Sequence, residues 1–85
     1  MQEFNYVLQD PDGIHARPAG MLVKKANSFR SRISMSKGTK VVDAKRIFSL
    51  MSLGAQKGDS VFIRIEGDDE DQAAEAIQTF LKENL

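Results

Sequence analysis

Phe4, Tyr6 and Leu8 alternate with Glu3, Asn5 and Val7, a near period of two that predicts a strand ending at the turn-forming run Asp10-Pro11-Asp12-Gly13. Beyond it, Ala19, Leu22, Val23 and Ala26 fall at i, i+3, i+4 and i+7, the spacing of one helix face, so a helix is expected over about 16–27. Ile33 and Met35 then alternate with Arg32, Ser34 and Ser36, and Lys37-Gly38 interrupts the run before Lys40-Val41-Val42. This predicts a hairpin whose turn type the pattern leaves open. Residues 47–53, IFSLMSL, read as a short second helix stopped by Gly54.

After a turn at Gln56-Lys57-Gly58-Asp59, Val61, Ile63 and Ile65 alternate with Phe62, Arg64 and Glu66, the cleanest strand signal in the chain and the one expected at the sheet centre. Ala73, Ile77, Phe80 and Leu81 return to helical spacing, with acids before them and Lys82 near the end, as a helix dipole favours. A last helix over about 69–83 follows. The order β-α-β-β-α-β-α leaves strands with one apolar face to bury under helices while water covers the other, which is a two-layer α+β domain.

Composition narrows the function. With 85 residues and 41% hydrophobic side chains, one small core is affordable, so a single domain over 1–85 is expected. No cysteine is present, which excludes thiolate chemistry and disulfides and suits a reducing compartment. No apolar run approaches a membrane span and no charged start leads into one, so a soluble, cytoplasmic protein is expected. Twelve basic and twelve acidic residues cancel, which speaks against nucleic acid as a partner. Charge is nevertheless uneven: Lys24, Lys25, Arg30, Arg32, Lys37, Lys40, Lys45 and Arg46 crowd the middle, and Glu66, Asp68, Asp69, Glu70 and Asp71 form an acidic run. That run reads as a solvated helix start.

The one histidine, His15, stands directly before the first expected helix. At the N-cap it would lie beside backbone N–H groups, those of Ala16 and Arg17, that have no intrahelical acceptor; with the positive dipole end they make an anion site. Arg17 adds a guanidinium suited to phosphate oxygens, provided His15 lies outside the regular helix and Arg17 reaches back. Pro18 is tolerated in the first turn, where its missing N–H would be unpaired anyway. Gly13 and Gly20 allow another surface to come close. An ordinary imidazole titrates just below neutrality, so a neutral nucleophilic ring is available at physiological pH, and phosphorylation fits. A lone histidine without these neighbours is more often a surface cap.

The run Gly13-Ile14-His15-Ala16-Arg17-Pro18-Ala19 resembles the signature G-[LI]-H-[AT]-R-P-A of the HPr family, the histidine-containing phosphocarriers of the bacterial phosphotransferase system. Residues 44–58 resemble the same family's second helix and following turn. The resemblance spans essentially the whole chain and implies an open-faced sandwich of four antiparallel strands with three helices on one side. It further implies that enzyme I, phosphorylated from phosphoenolpyruvate, phosphorylates Nδ1 of His15, that Arg17 stabilises the phosphoryl group, and that IIA domains of sugar permeases receive it. On this resemblance the chain is a carrier rather than an enzyme in its own right, with no metal or cofactor, and is expected to be a monomer.

In a short helix Leu50 and Leu53 can serve the core, leaving Ile47, Phe48 and Met51 as a separate cluster. With Gly20 and Lys24, this is the expected docking patch, where methionine adapts to different partners. Many family members from low-GC Gram-positive bacteria carry a regulatory serine one residue before Ile47; here Arg46 stands there, so control by HPr kinase at that position is not expected. A nitrogen-linked relay, which would share the chemistry, and a regulatory binding module that alters a target by docking, with His15 phosphorylation acting only as a switch, remain as alternatives. One histidine and no G-x-S-x-G or phosphate-loop motif leave no basis for an independent hydrolase or a histidine-rich metal site.

Overall fold

A computed structural model describes all residues 1–85. The elements are β1 (Gln2–Val7), α1 (Ala16–Asn27), β2 (Arg32–Lys37), β3 (Lys40–Asp43), α2 (Ile47–Met51), β4 (Ser60–Glu66) and α3 (Glu70–Asn84). The strands form one antiparallel sheet in the order β1-β4-β2-β3, so the strand with the strongest alternation is indeed internal. Its register places Ile63 beside Phe4 and Met35, and Ile65 beside Gln2 and Ile33.

Alternation decides which side of the sheet is covered. Val61, Ile63 and Ile65 of β4 and Ile33 and Met35 of β2 are buried, while Arg64, Glu66 and Arg32 between them are exposed. The buried set joins Leu22 and Ala26 of α1, Leu50 of α2 and Ala73, Ile77 and Leu81 of α3 in one core cluster. The result is the expected open-faced sandwich, a four-stranded antiparallel sheet with three helices. Each fully buried aliphatic side chain contributes on the order of 1.5–3 kcal/mol relative to an exposed one, which is how a chain without disulfides holds together.

Boundaries moved by a residue or two. α2 stops at Met51 rather than 53, because the Leu53 and Gly54 N–H groups bond three residues back, to the Leu50 and Met51 carbonyls, instead of four, and Gly54 takes φ 61°. Leu53 is therefore buried from a turn. In the β2–β3 hairpin, Lys37 pairs with Lys40 and leaves a two-residue loop. Gly38 has φ 60° and no non-glycine residue has a positive φ, the pattern of a type II′ turn.

The acidic run is not simply solvated. The Asp69 carboxylate reaches across to the α1–β2 connection, accepting hydrogen bonds from the Arg30 N–H (2.9 Å), the Ser31 N–H (2.9 Å) and the Ser31 hydroxyl. Ser31 is the one buried polar residue, and this carboxylate satisfies it. The Ser31 hydroxyl first, and then the Arg30 N–H, hold Asp69 down at a pKa of about 2. A depressed folded-state pKa stabilises above the unfolded value, near 3.8, and the contribution is lost as pH falls toward 2. Asp69→Asn is therefore expected to lower stability at neutral pH, with the difference from wild type shrinking between about pH 4 and pH 2 in acid titrations followed by circular dichroism. A difference independent of pH would assign the loss to packing instead.

Candidate functional site

The segment between β1 and α1 is pinned at both ends by backbone hydrogen bonds. Leu8 exchanges bonds with the β4 side, its N–H donating to Asp59 (3.0 Å) and its carbonyl accepting from Gly58 (2.9 Å). The Asp10 N–H donates to the Leu85 carbonyl at the end of α3 (3.0 Å), and the Ile14 N–H to the Ala55 carbonyl (3.1 Å). The turn that supplies Ala55 is itself buckled: the Gln56 N–H and then the Lys37 ammonium hold the Asp59 carboxyl below the usual carboxylate range.

Gly13 is the steric reason this segment fits. Its φ is 64°, and a Cβ there would stand 2.3 Å from the Ala55 carbonyl oxygen and 2.7 Å from the Gln56 Cα. Gly20 is under no such constraint within the chain. A Cβ at Gly20 would meet only the Ile47 Cδ1, at an ordinary 3.6 Å.

His15 is the N-cap of α1, with extended backbone (φ −100°, ψ 178°), and its carbonyl accepts the first helical bond from Ala19 (2.9 Å). Its side chain makes no capping hydrogen bond and is 40% exposed. The ring is therefore presented to solvent rather than used by the helix. The Ala16 and Arg17 N–H groups have no acceptor within the chain, and Pro18, buried in the first turn, has none to satisfy. No acidic side chain sits in that turn to compensate it, so two free donors and the positive end of a twelve-residue helix lie next to one imidazole. Arg17 is exposed and joins no ion pair, leaving its guanidinium available.

The structure also places a carboxylate where the sequence offered only a turn former. Asp10 Oδ1 lies 3.7 Å from His15 Nε2. Asp10, Asp12 and His15 bring potential metal-ligand atoms within 4.8 Å of one another, an arrangement that exposed acidic groups often reach without an ion. No spacing rule links residues 10 and 15 across an irregular loop, so this proximity had no signature in the pattern.

Beyond Gly20, α2 carries the expected apolar patch, with one change. Phe48 is 86% exposed and Met51 38%, whereas Ile47 is half-buried, packed against the core over Gly20. Leu50 and Leu53 are buried, as the i, i+3 spacing requires. Lys24 is exposed and borders the groove between α1 and α3 with Met21, Lys25 and Glu75. Arg46 caps α2 at the surface and faces Asp43 at 3.8 Å, an exposed pair worth roughly 0–1 kcal/mol.

Fold and site together define a class: open-faced α+β sandwiches that present one histidine at the free N-terminus of a helix. The family model described as the PTS HPr component phosphorylation site matches residues 2–83. The chain is 40% identical over 85 residues to the phosphocarrier protein HPr of Mycoplasma genitalium, covering 99% of this chain and 97% of that one. It is 42% identical over 83 residues to HPr of Lysinibacillus sphaericus, covering 98% and 94%. The solved structure of a mycoplasma histidine-containing phosphocarrier protein superposes with a TM-score of 0.93 at 33% identity, over 96% of this chain and 93% of that one. This chain belongs to the HPr family of phosphocarrier proteins.

Proposed function

We propose that the chain carries phosphoryl groups on His15, accepting them from phosphorylated enzyme I and donating them to IIA domains of sugar permeases. The observation that carries this reading is the half-exposed, uncapped imidazole beside the unpartnered Ala16 and Arg17 N–H groups. In the transfer, the Nδ1 lone pair forms a bond to phosphorus as the donor's nitrogen–phosphorus bond breaks and returns its electron pair to the donor. The incoming oxygens gain hydrogen bonds from the two N–H groups and charge pairing from Arg17, which is free to swing. Onward transfer is the same step reversed onto a new nitrogen, so a site that holds the phosphoryl group through a few solvent-facing donors suits a carrier better than an enclosed one.

Phosphorus NMR after incubation with enzyme I and phosphoenolpyruvate tests the reading. A δ1-phosphohistidine signal is the expected result; its absence, with enzyme I active on another acceptor, defeats it.

Phe48 and Met51 form the proposed contact surface for both partners. Because Phe48 is almost fully exposed, Phe48→Asp removes little packing. It is expected to weaken binding to enzyme I roughly tenfold or more by titration calorimetry, as loss of an aromatic anchor does, with thermal unfolding nearly unchanged. A large loss of stability would instead reassign Phe48 to the fold.

A further inference from the structure

Asp10 is held at three points. Its Oδ1 accepts from the Asp12 N–H (2.8 Å), its carbonyl accepts from the Gly13 N–H (2.9 Å), and its own N–H donates to the Leu85 carbonyl (3.0 Å). The turn thereby aims the carboxylate, only 25% exposed, at His15 Nε2, 3.7 Å away. The Asp12 carboxylate shares the neighbourhood, within 4.8 Å, but makes no ion-pair contact with the ring. We infer that Asp10 is a positioning residue for His15: it holds the ring hydrogen on Nε2, so that Nδ1 carries the lone pair. This rests on His15 being the phosphoryl acceptor through Nδ1 and supplies a physical reason for the choice of that nitrogen.

A neutral imidazole has one N–H, and its location is set by what each nitrogen faces. An ionised carboxylate can only accept, so it attracts an N–H on Nε2 and repels a lone pair there. At 3.7 Å the contact is electrostatic rather than a formed hydrogen bond, and contacts in unloaded sites commonly tighten on reaction.

The step itself explains the benefit of the carboxylate. When Nδ1 bonds to phosphorus while Nε2 keeps its hydrogen, the ring becomes formally cationic, and Asp10 faces that new charge. When the phosphoryl group leaves, the electron pair returns to Nδ1 and the neutral Nε2–H form is restored without any proton crossing the ring.

Long-range proton–nitrogen correlation NMR on nitrogen-15-labelled full-length protein, at alkaline pH where the ring is neutral, reads the tautomer directly. Wild type is expected to show Nε2 in the protonated range and Nδ1 in the lone-pair range. Asp10→Asn keeps an acceptor for the Asp12 N–H, and so the turn, but removes the charge. It is expected to move both ring nitrogens toward averaged values while the backbone amide spectrum stays native.

Removing an outer partner of a working imidazole costs about 10- to 100-fold where it has been measured on metal-bound histidines. This half-exposed pair belongs at the low end, so phosphorylation by enzyme I is expected to slow about tenfold. Asp12→Asn, which removes a neighbouring charge without touching the Nε2 contact, is expected to leave the tautomer as in wild type. Unchanged ring shifts in Asp10→Asn overturn the inference whatever the rate does. Equal shifts in Asp12→Asn also overturn it, since the general field would then be responsible. Failure of wild type to accept phosphoryl at all defeats the carrier reading instead, and leaves the NMR result to decide the tautomer separately.

Discussion

Replacing His15 with alanine is expected to abolish phosphoryl acceptance from enzyme I while leaving the fold intact. Both halves follow from the same geometry. The ring offers the chain's one imidazole nucleophile, so no other side chain can substitute for it. Capping residues normally cost about 0.5–2 kcal/mol when cut to alanine because a side-chain hydrogen bond to the helix is lost. His15 makes no such bond, and alanine adopts its extended backbone without strain, so a change within about 0.5 kcal/mol is expected. Phosphorus NMR for acceptance and thermal unfolding for stability, run on the same preparation, check the pair. Stoichiometric acceptance by His15→Ala would move the site elsewhere; unfolding would make His15 structural.

Gly13→Ala is expected to do the reverse, destroying function through the fold. A non-glycine residue at φ 64° costs about 1–2 kcal/mol. The Cβ would also overlap the Ala55 carbonyl oxygen at 2.3 Å, and forced overpacking adds about 1–3 kcal/mol. Retreat is blocked, because the Ile14 N–H bond to the same carbonyl holds the two segments together. The sum, about 2–5 kcal/mol, is large against the roughly 4–13 kcal/mol available to a chain of this size at about 0.05–0.15 kcal/mol per residue. Tm is expected to fall by at least about 10 °C. A fall of only a degree or two would show that the loop relaxes around the methyl group, and His15 would then have to be sought in a shifted position.

These two substitutions mark the difference between what the pattern revealed and what it concealed. All seven elements were legible because Val61, Ile63 and Ile65, or Ala73, Ile77, Phe80 and Leu81, repeat at the period of their own backbone, and burial of one face enforces that period. His15, Arg17 and Pro18 were legible for a similar local reason: a helix start has the same free N–H groups wherever it occurs. The acidic run is solvated at Glu66, Asp68 and Asp71 but not at Asp69, because periodicity describes the residues' own helix and not the α1–β2 corner that Asp69 bonds to, some 38 residues away along the chain. Helical spacing makes Ile47 and Met51 neighbours and so groups Ile47 with the exposed pair; packing over Gly20 half-buries it while Phe48 stays exposed.

By itself, then, the sequence determined the element order, the one apolar face of the sheet, the histidine at a helix start and the family, since each depends on interactions within a few residues or on a contiguous motif. Only the tertiary structure decided that Gly13 must be glycine, that Asp10 faces Nε2 of His15, that Asp69 satisfies the buried Ser31 and that Phe48 rather than Ile47 stands free. Each of these is a contact whose distance is set by the closing of loops against other elements, and loop geometry carries no fixed period from which such a distance could be read.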